Sequence, residues 1–190
     1  MGQYYKAIIL GSAGSKEFVR LWFSPFSFGN GCKLMEHSYI NNRYVSAVEN
    51  LLSPDGMFYM SRLVWAGDYA DKEADLDVNL YSLALEDEDS PPSDLGRWSA
   101  SKSQTVVSRS TECFRYIVNH SKKLFVDKEK LTSNIHPLPL LTSEGNGRGG
   151  GDYGGSSELV GSWARDLISV ERLAPCAVEY KELVCDFGER

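Results

Sequence analysis

The stretch Glu144-Gly-Asn-Gly-Arg-Gly-Gly-Gly-Asp-Tyr-Gly-Gly155 is the part of this chain whose residue types come closest to a binding chemistry. Glycines leave backbone N–H groups free to crowd around an anion, and Arg148 would add a planar two-pronged donor to that nest. Asn146, Arg148, Gly149, Gly150 and Gly151 are therefore the candidate ligand-binding residues. The stretch is neither a P-loop nor a dinucleotide fingerprint, since no Lys follows it and no clear helix begins after it. An ordered structural turn or a mobile loop is the competing reading.

Asp68 and Asp71 lie three apart in Ala66-Gly-Asp-Tyr-Ala-Asp71, a turn that follows an apolar run. Together with Asp152 they are the candidate catalytic residues, as convergent carboxylates serve as acid and base or hold a metal. The plainer alternative has Asp68 bonding backbone amides in an Asx turn while Asp71 faces solvent. Asp75, Asp77, Asn79 and Glu86 fall on positions 1, 3, 5 and 12 of a calcium loop, but Leu80 stands where that loop needs Gly. Glu36 and His37 are adjacent titratable groups of opposite facing, with a surface His and a structural Glu as the default. His120, in an expected hairpin turn, and His136, before Pro137, lack metal-ligand spacing. Cys32 has no base beside it. The sequence thus names no metal site and no cofactor.

These residues need elements to position them. Tyr4 to Leu10 and Phe18 to Phe23 read as strands, and Ser24 to Gly31 as a loop. Asn41 or Asn42 is placed to cap a helix with Tyr44, Val45, Val48, Leu51 and Leu52 on one stripe, ended by Ser53-Pro-Asp-Gly56. Met57 to Trp65 is expected to be a strand, Leu76 to Leu85 a strand or short helix, and Phe114 to Val118 with Lys123 to Asp127 a hairpin. His136-Pro-Leu-Pro139 is expected to be extended. Ile168 to Val170 and Val178 to Phe187 close the chain as strands. Strands outnumber helices without regular alternation, so the expected class is α+β: a mixed or antiparallel sheet with one main helix and long loops.

With 190 residues, 42% of them hydrophobic and 12% aromatic, the chain can bury a substantial core and is expected to form a single domain over 1–190. Residues 86–106, acidic and then rich in Ser and Pro, are expected to form an exposed excursion. A net charge of -6 disfavours a duplex nucleic-acid partner, and the only tight basic pair is Lys122-Lys123. No apolar run suggests a signal peptide or a membrane span, and four cysteines without CxxC spacing favour a reduced, cytoplasmic setting. Partners left in view are a small anionic ligand or another protein.

Met1-Gly-Gln-Tyr-Tyr-Lys6, Phe28-Gly-Asn-Gly31 with Lys33-Leu-Met-Glu36, the turn at 66–71 and Gly145 to Asp152 together resemble an uncharacterised family of MGQYYK-type proteins from bacterial, phage and large-virus genomes. The resemblance implies no activity. Two functional classes remain. One is a small enzyme or an anion- or nucleotide-binding protein with a polar cleft between the two glycine-containing loops; the other is a noncatalytic interaction or assembly module.

Overall fold

The computed structural model describes residues 3–14, 16–74, 76–84, 114–145, 152–155, 158–185 and 187–188. Its framework is one sheet of eight strands in the order β2-β1-β3-β7-β4-β5-β8, with β6 attached to β3. The strands are β1 (Tyr5–Ala13), β2 (Lys16–Phe23), β3 (Ser61–Gly67), β4 (Tyr116–Asn119), β5 (Leu124–Asp127), β6 (Ser143–Glu144), β7 (Leu167–Glu171) and β8 (Lys181–Glu182). Most pairings are antiparallel; β3 with β6 and β5 with β8 are parallel. The α+β class and its mixed sheet are as expected.

Helix α1 spans Leu34–His37, α2 Arg43–Leu52, α3 Leu80–Leu83 and α4 Pro137–Leu141. Among the described residues helix α2 is the one substantial helix, and its start is local chemistry. The Asn42 side chain accepts the N–H groups of Tyr44 at 2.8 Å and Val45 at 3.2 Å, two donors that a helix start cannot satisfy internally. Tyr44, Val45, Val48, Leu51 and Leu52, spaced to share a face, are all buried.

Alternation along the strands splits the apolar residues between two faces. Tyr5, Ala7, Ile9, Leu63 and Trp65 join α2 and α4 in the main core, while Ile8, Leu10, Val64 and Ala66 join Leu80 and Ala84 on the opposite face. Edge strand β2 carries a bulge: Ile9 pairs with Leu21 and Leu10 with Val19, so Arg20 is the extra residue. The bulge shifts the parity, which sends Val19 to the second face while Leu21 and Phe23 keep the first. A bulged edge is also a poor template for another strand.

Several expectations change. Residues 53–60 form turns, with Met60 at φ 54, so the strand expected from Met57 begins only at Ser61. The segment at His136 is not extended: Pro137 is the first residue of α4 and His136 its N-cap, a position where proline's missing N–H costs nothing. Of the strand expected over Val178 to Phe187, only Lys181–Glu182 pairs. The excursion at 86–106 lies outside the described residues.

Candidate functional site

Strand β3 shares one edge between two partners. Its start pairs with β7 through Ser61 and Arg62, and its end pairs with β6 through Trp65↔Ser143 and Ala66↔Glu144. Because β3 and β6 run parallel, the chain leaves both at the same place, so the loops starting at Gly67 and Gly145 depart side by side. The carboxyl ends of parallel strands are where open sheets collect ligands.

Two polar side chains from the start of β1 fill the space between the loops. A Cβ at Gly145 would stand 2.6 Å from the Tyr5 hydroxyl and 2.7 Å from the Gln3 amide, and one at Gly67 would strike the same amide. A side chain at either position would therefore have to displace Gln3 or Tyr5, so glycine is what lets them approach this closely. The buried Tyr5 hydroxyl donates to Gln3 Oε1 at 2.9 Å. Burial pushes the Tyr5 phenol pKa up, and the Asp152 and Asp68 carboxylates push it further. The two loops thus bring one aspartate each within electrostatic reach of a single phenol.

Each carboxylate at this rim has one oxygen on a backbone donor. Asp68 Oδ1 accepts the Tyr4 N–H at 3.0 Å, Asp152 Oδ1 accepts the Met35 N–H at 3.0 Å, and Glu36 Oε2 accepts the Lys33 N–H at 2.9 Å. The surroundings of the Asp152 carboxyl desolvate it and raise its pKa. The Met35 N–H opposes that rise, Glu36 adds to it, and Lys33 offsets it in part. Although Asp152 as a residue is exposed, its ionised form is held at a cost.

The sequence candidates divide accordingly. Asp68 and Asp152 both lie within electrostatic reach of Tyr5. Asp71 is exposed and does not join them, so the Asp68/Asp71 pairing is not formed. Asp68 does bond a backbone amide, but that of Tyr4, 64 residues away, and not one of its own turn as an Asx turn requires: its Oδ1 accepts the Tyr4 N–H, and its own N–H donates to Tyr4 O. Asn146, Arg148, Gly149, Gly150 and Gly151 lie outside the described residues. Gln3, just ahead of β1, and Tyr5, its first residue, were missed.

The remaining candidates serve the scaffold. His37 is buried, not on the surface: its Nε2 accepts the Trp65 indole N–H at 3.0 Å, leaving Nδ1 to donate to Gly31 O at 3.1 Å. Burial holds its pKa down at about 4, so the ring is neutral. His136 Nδ1 accepts the Leu138 N–H at 3.2 Å, which fixes Nε2 as the donor to Glu49 at 3.1 Å. Asn79 caps α3 and bonds the Asp68 and Ala70 carbonyls, and Asp77 pairs with Lys72; neither serves a calcium loop. Arg165 forks onto Glu144 at 2.8 Å through both Nε and Nη2, and onto Glu73 at 3.0 and 2.5 Å, clamping the residue that precedes Gly145. Cys32 and Cys185 are buried, and burial raises the Cys185 thiol to about 12. Among the described residues no group of His, Cys, Asp and Glu has the arrangement of a metal site, and no helix is long and apolar enough to cross a membrane.

In comparisons with known proteins, no family model, curated protein or solved structure matches this chain.

Proposed function

We propose that the protein binds a small phosphorylated, hydroxyl-bearing ligand, such as a nucleotide or sugar phosphate, over the carboxyl ends of β3 and β6. The observation that carries this reading is the close approach of Gly67 and Gly145, at the starts of two separate loops, to the Gln3 amide beside the Tyr5 hydroxyl, with Asp68 and Asp152 within electrostatic reach of that phenol. The rim of Glu36, Asp68 and Asp152 against Lys33 suits hydroxyl donors, because an ionised carboxylate has about four acceptor sites and a backbone bond occupies one. Carboxylates hold ribose hydroxyls in this way at the ends of parallel strands. The anionic group then falls to the backbone of Gly149 to Gly151 and to Asn146 and Arg148. Asp152, with its raised pKa, is the residue an acid–base step would use. The cytoplasmic setting and the likeness to MGQYYK-type proteins belong to this same proposal and supply no activity.

Calorimetry with ribonucleotides, sugar phosphates and inorganic phosphate tests it. Arg148→Ala is expected to weaken every phosphate-bearing ligand without lowering Tm, and Arg148→Lys to restore only part, because an ammonium lacks the fork. Asp68→Asn is expected to weaken the hydroxyl-bearing ligands and leave inorganic phosphate unchanged. Absence of binding by the unsubstituted protein at millimolar concentration for the whole panel contradicts the proposal and favours the interaction-module reading. That reading has its own support in Leu173, Val178 and Val184, which flank β8 in the chain and are 82%, 94% and 82% exposed.

A further inference from the structure

A second polar cluster sits at the other half of the sheet. His120, in the turn between β4 and β5, touches three elements. Its Nε2 lies 2.8 Å from Ser169 Oγ on β7, and its Nδ1 lies 2.8 Å from the hydroxyl of Tyr180, just before β8. The proton directions follow from the far end. Ser169 Oγ donates to Glu171 Oε1 at 2.8 Å, since a carboxylate only accepts, so the same oxygen accepts the His120 Nε2–H. Nδ1 is then the unprotonated nitrogen, and it accepts the Tyr180 O–H.

The neutral ring is therefore a clasp on the segment 172–183. Tyr180 stands edge-on to it at 5.7 Å between ring centroids, and Tyr59, from the turn before β3, at 6.4 Å. Beyond Tyr180 the segment is held by the Lys181 N–H to Lys123 O at 3.0 Å, the Leu183 N–H to Phe125 O at 2.7 Å, and the Lys130–Glu182 ion pair. It carries the exposed Leu173 and Val178. Cys185 and Phe187 beyond it are anchored in the core.

We propose that His120 is a pH-sensitive clasp: protonation of its Nδ1 releases Tyr180 and, with it, the 172–183 segment from the edge of the sheet. A protonated Nδ1 becomes a donor facing a donor. The Tyr180 oxygen can turn to accept it only while also facing the Lys123 ammonium, 3.3 Å from that oxygen and 4.8 Å from the ring centroid. The new imidazolium would sit beside that cation. The neighbouring anion, Glu171, reaches it through Ser169, and Lys122 is already paired with Asp166 at 3.0 Å. Burial pulls the His120 pKa below its usual 6.5, Glu171 opposes this, and Lys123 reinforces it. Since the folded value is the lower one, the stability due to the neutral clasp is present above pH 6.5 and falls away as the pH drops through the folded value.

The test follows the His120 ring by NMR from neutral to acid pH, alongside hydrogen-exchange protection of the Lys181 and Leu183 amides. Their protection is expected to fall with the midpoint at which His120 titrates. Tyr180→Phe removes the hydroxyl that favours neutral His120, so it is expected to move the His120 midpoint up. Glu171→Gln removes the anion and is expected to move it down. The exchange midpoint should follow in Glu171→Gln, whereas Tyr180→Phe, which has no hydroxyl to release, should show low protection with no step at the His120 titration. Amides of the unsubstituted protein that stay protected through the His120 titration, an exchange midpoint that does not move with that of His120 in Glu171→Gln, or a full acid-dependent step retained in Tyr180→Phe overturns the clasp.

Discussion

At Glu49, a buried carboxylate meets two partners, the Lys128 ammonium at 2.5 Å and the His136 ring at 3.1 Å; at Asp152, a carboxylate at the surface meets a second carboxylate, Glu36, and a buried phenol. Burial alone would raise the Glu49 pKa, but His136 and Lys128 outweigh it and hold it at about 2. At Asp152 desolvation wins and the pKa goes up. The first arrangement matches charge with charge and ties α2, α4 and the turn after β5 together. The second gathers like charges at the mouth of two loops, where each has one oxygen on a backbone N–H and, among the described residues, no cation matched to it as Lys128 is to Glu49. Regions shaped by stability and by function differ in this way.

The largest effect is expected at the matched site. Glu49→Ala strands Lys128 and His136 in a buried setting and should cost about 3–5 kcal/mol in chemical denaturation at neutral pH. Because the Glu49 pKa is depressed from 4.5 to about 2, the stability it confers is present above pH 4.5 and is lost as the pH falls toward 2. An Ala variant as stable as the parent would break the contrast. Next comes Tyr44, whose buried hydroxyl accepts the Ala7 N–H at 2.6 Å and donates to Phe23 O at 3.0 Å. Tyr44→Phe leaves both groups without it and should cost about 1–3 kcal/mol by denaturant titration. Smaller still is Arg165→Lys. A point charge cannot fork onto Glu144 and Glu73 together, and at this half-exposed network the loss should be about 1 kcal/mol, shrinking as salt is added.

Much of the fold could be read from local chemistry. Asn42 ahead of a helical stripe announced α2, and alternating apolar residues announced β1, β2 and the β4–β5 hairpin, because caps, turns and periodicity act over a few residues. The approach of Gly67 and Gly145 to the same Gln3 amide fits the expectation drawn from two polar, glycine-bearing turns between apolar runs, while 146–151 lie outside the described residues. What made them meet, the parallel register of β3 with the two-residue β6, was hidden, since so short a strand has no periodicity of its own. His37 and His136 read as surface or unassigned histidines because their partners, Trp65 and Glu49, are 28 and 87 residues away in sequence. Tyr5 passed as one more strand aromatic; its position beside two glycines is fixed by long-range packing.

Asp152→Asn is the smallest change and the most direct test that the rim serves a ligand and not the scaffold. Asparagine keeps an oxygen for the Met35 N–H and removes the charge that Glu36 and the desolvating surroundings disfavour. Because the Asp152 pKa is raised above 3.8 in the fold, its ionised form costs stability at neutral pH, and the cost disappears below pH 3.8. Thermal unfolding at pH 7 is therefore expected to show the Asn variant more stable by about 0.5 kcal/mol, a figure kept small for an exposed position, with no difference in acid. Calorimetry on the same variant is expected to show weakened binding of ribonucleotides or sugar phosphates. A variant that is less stable than the parent, and binds those ligands as the parent does, would make Asp152 part of the scaffold and contradict the account.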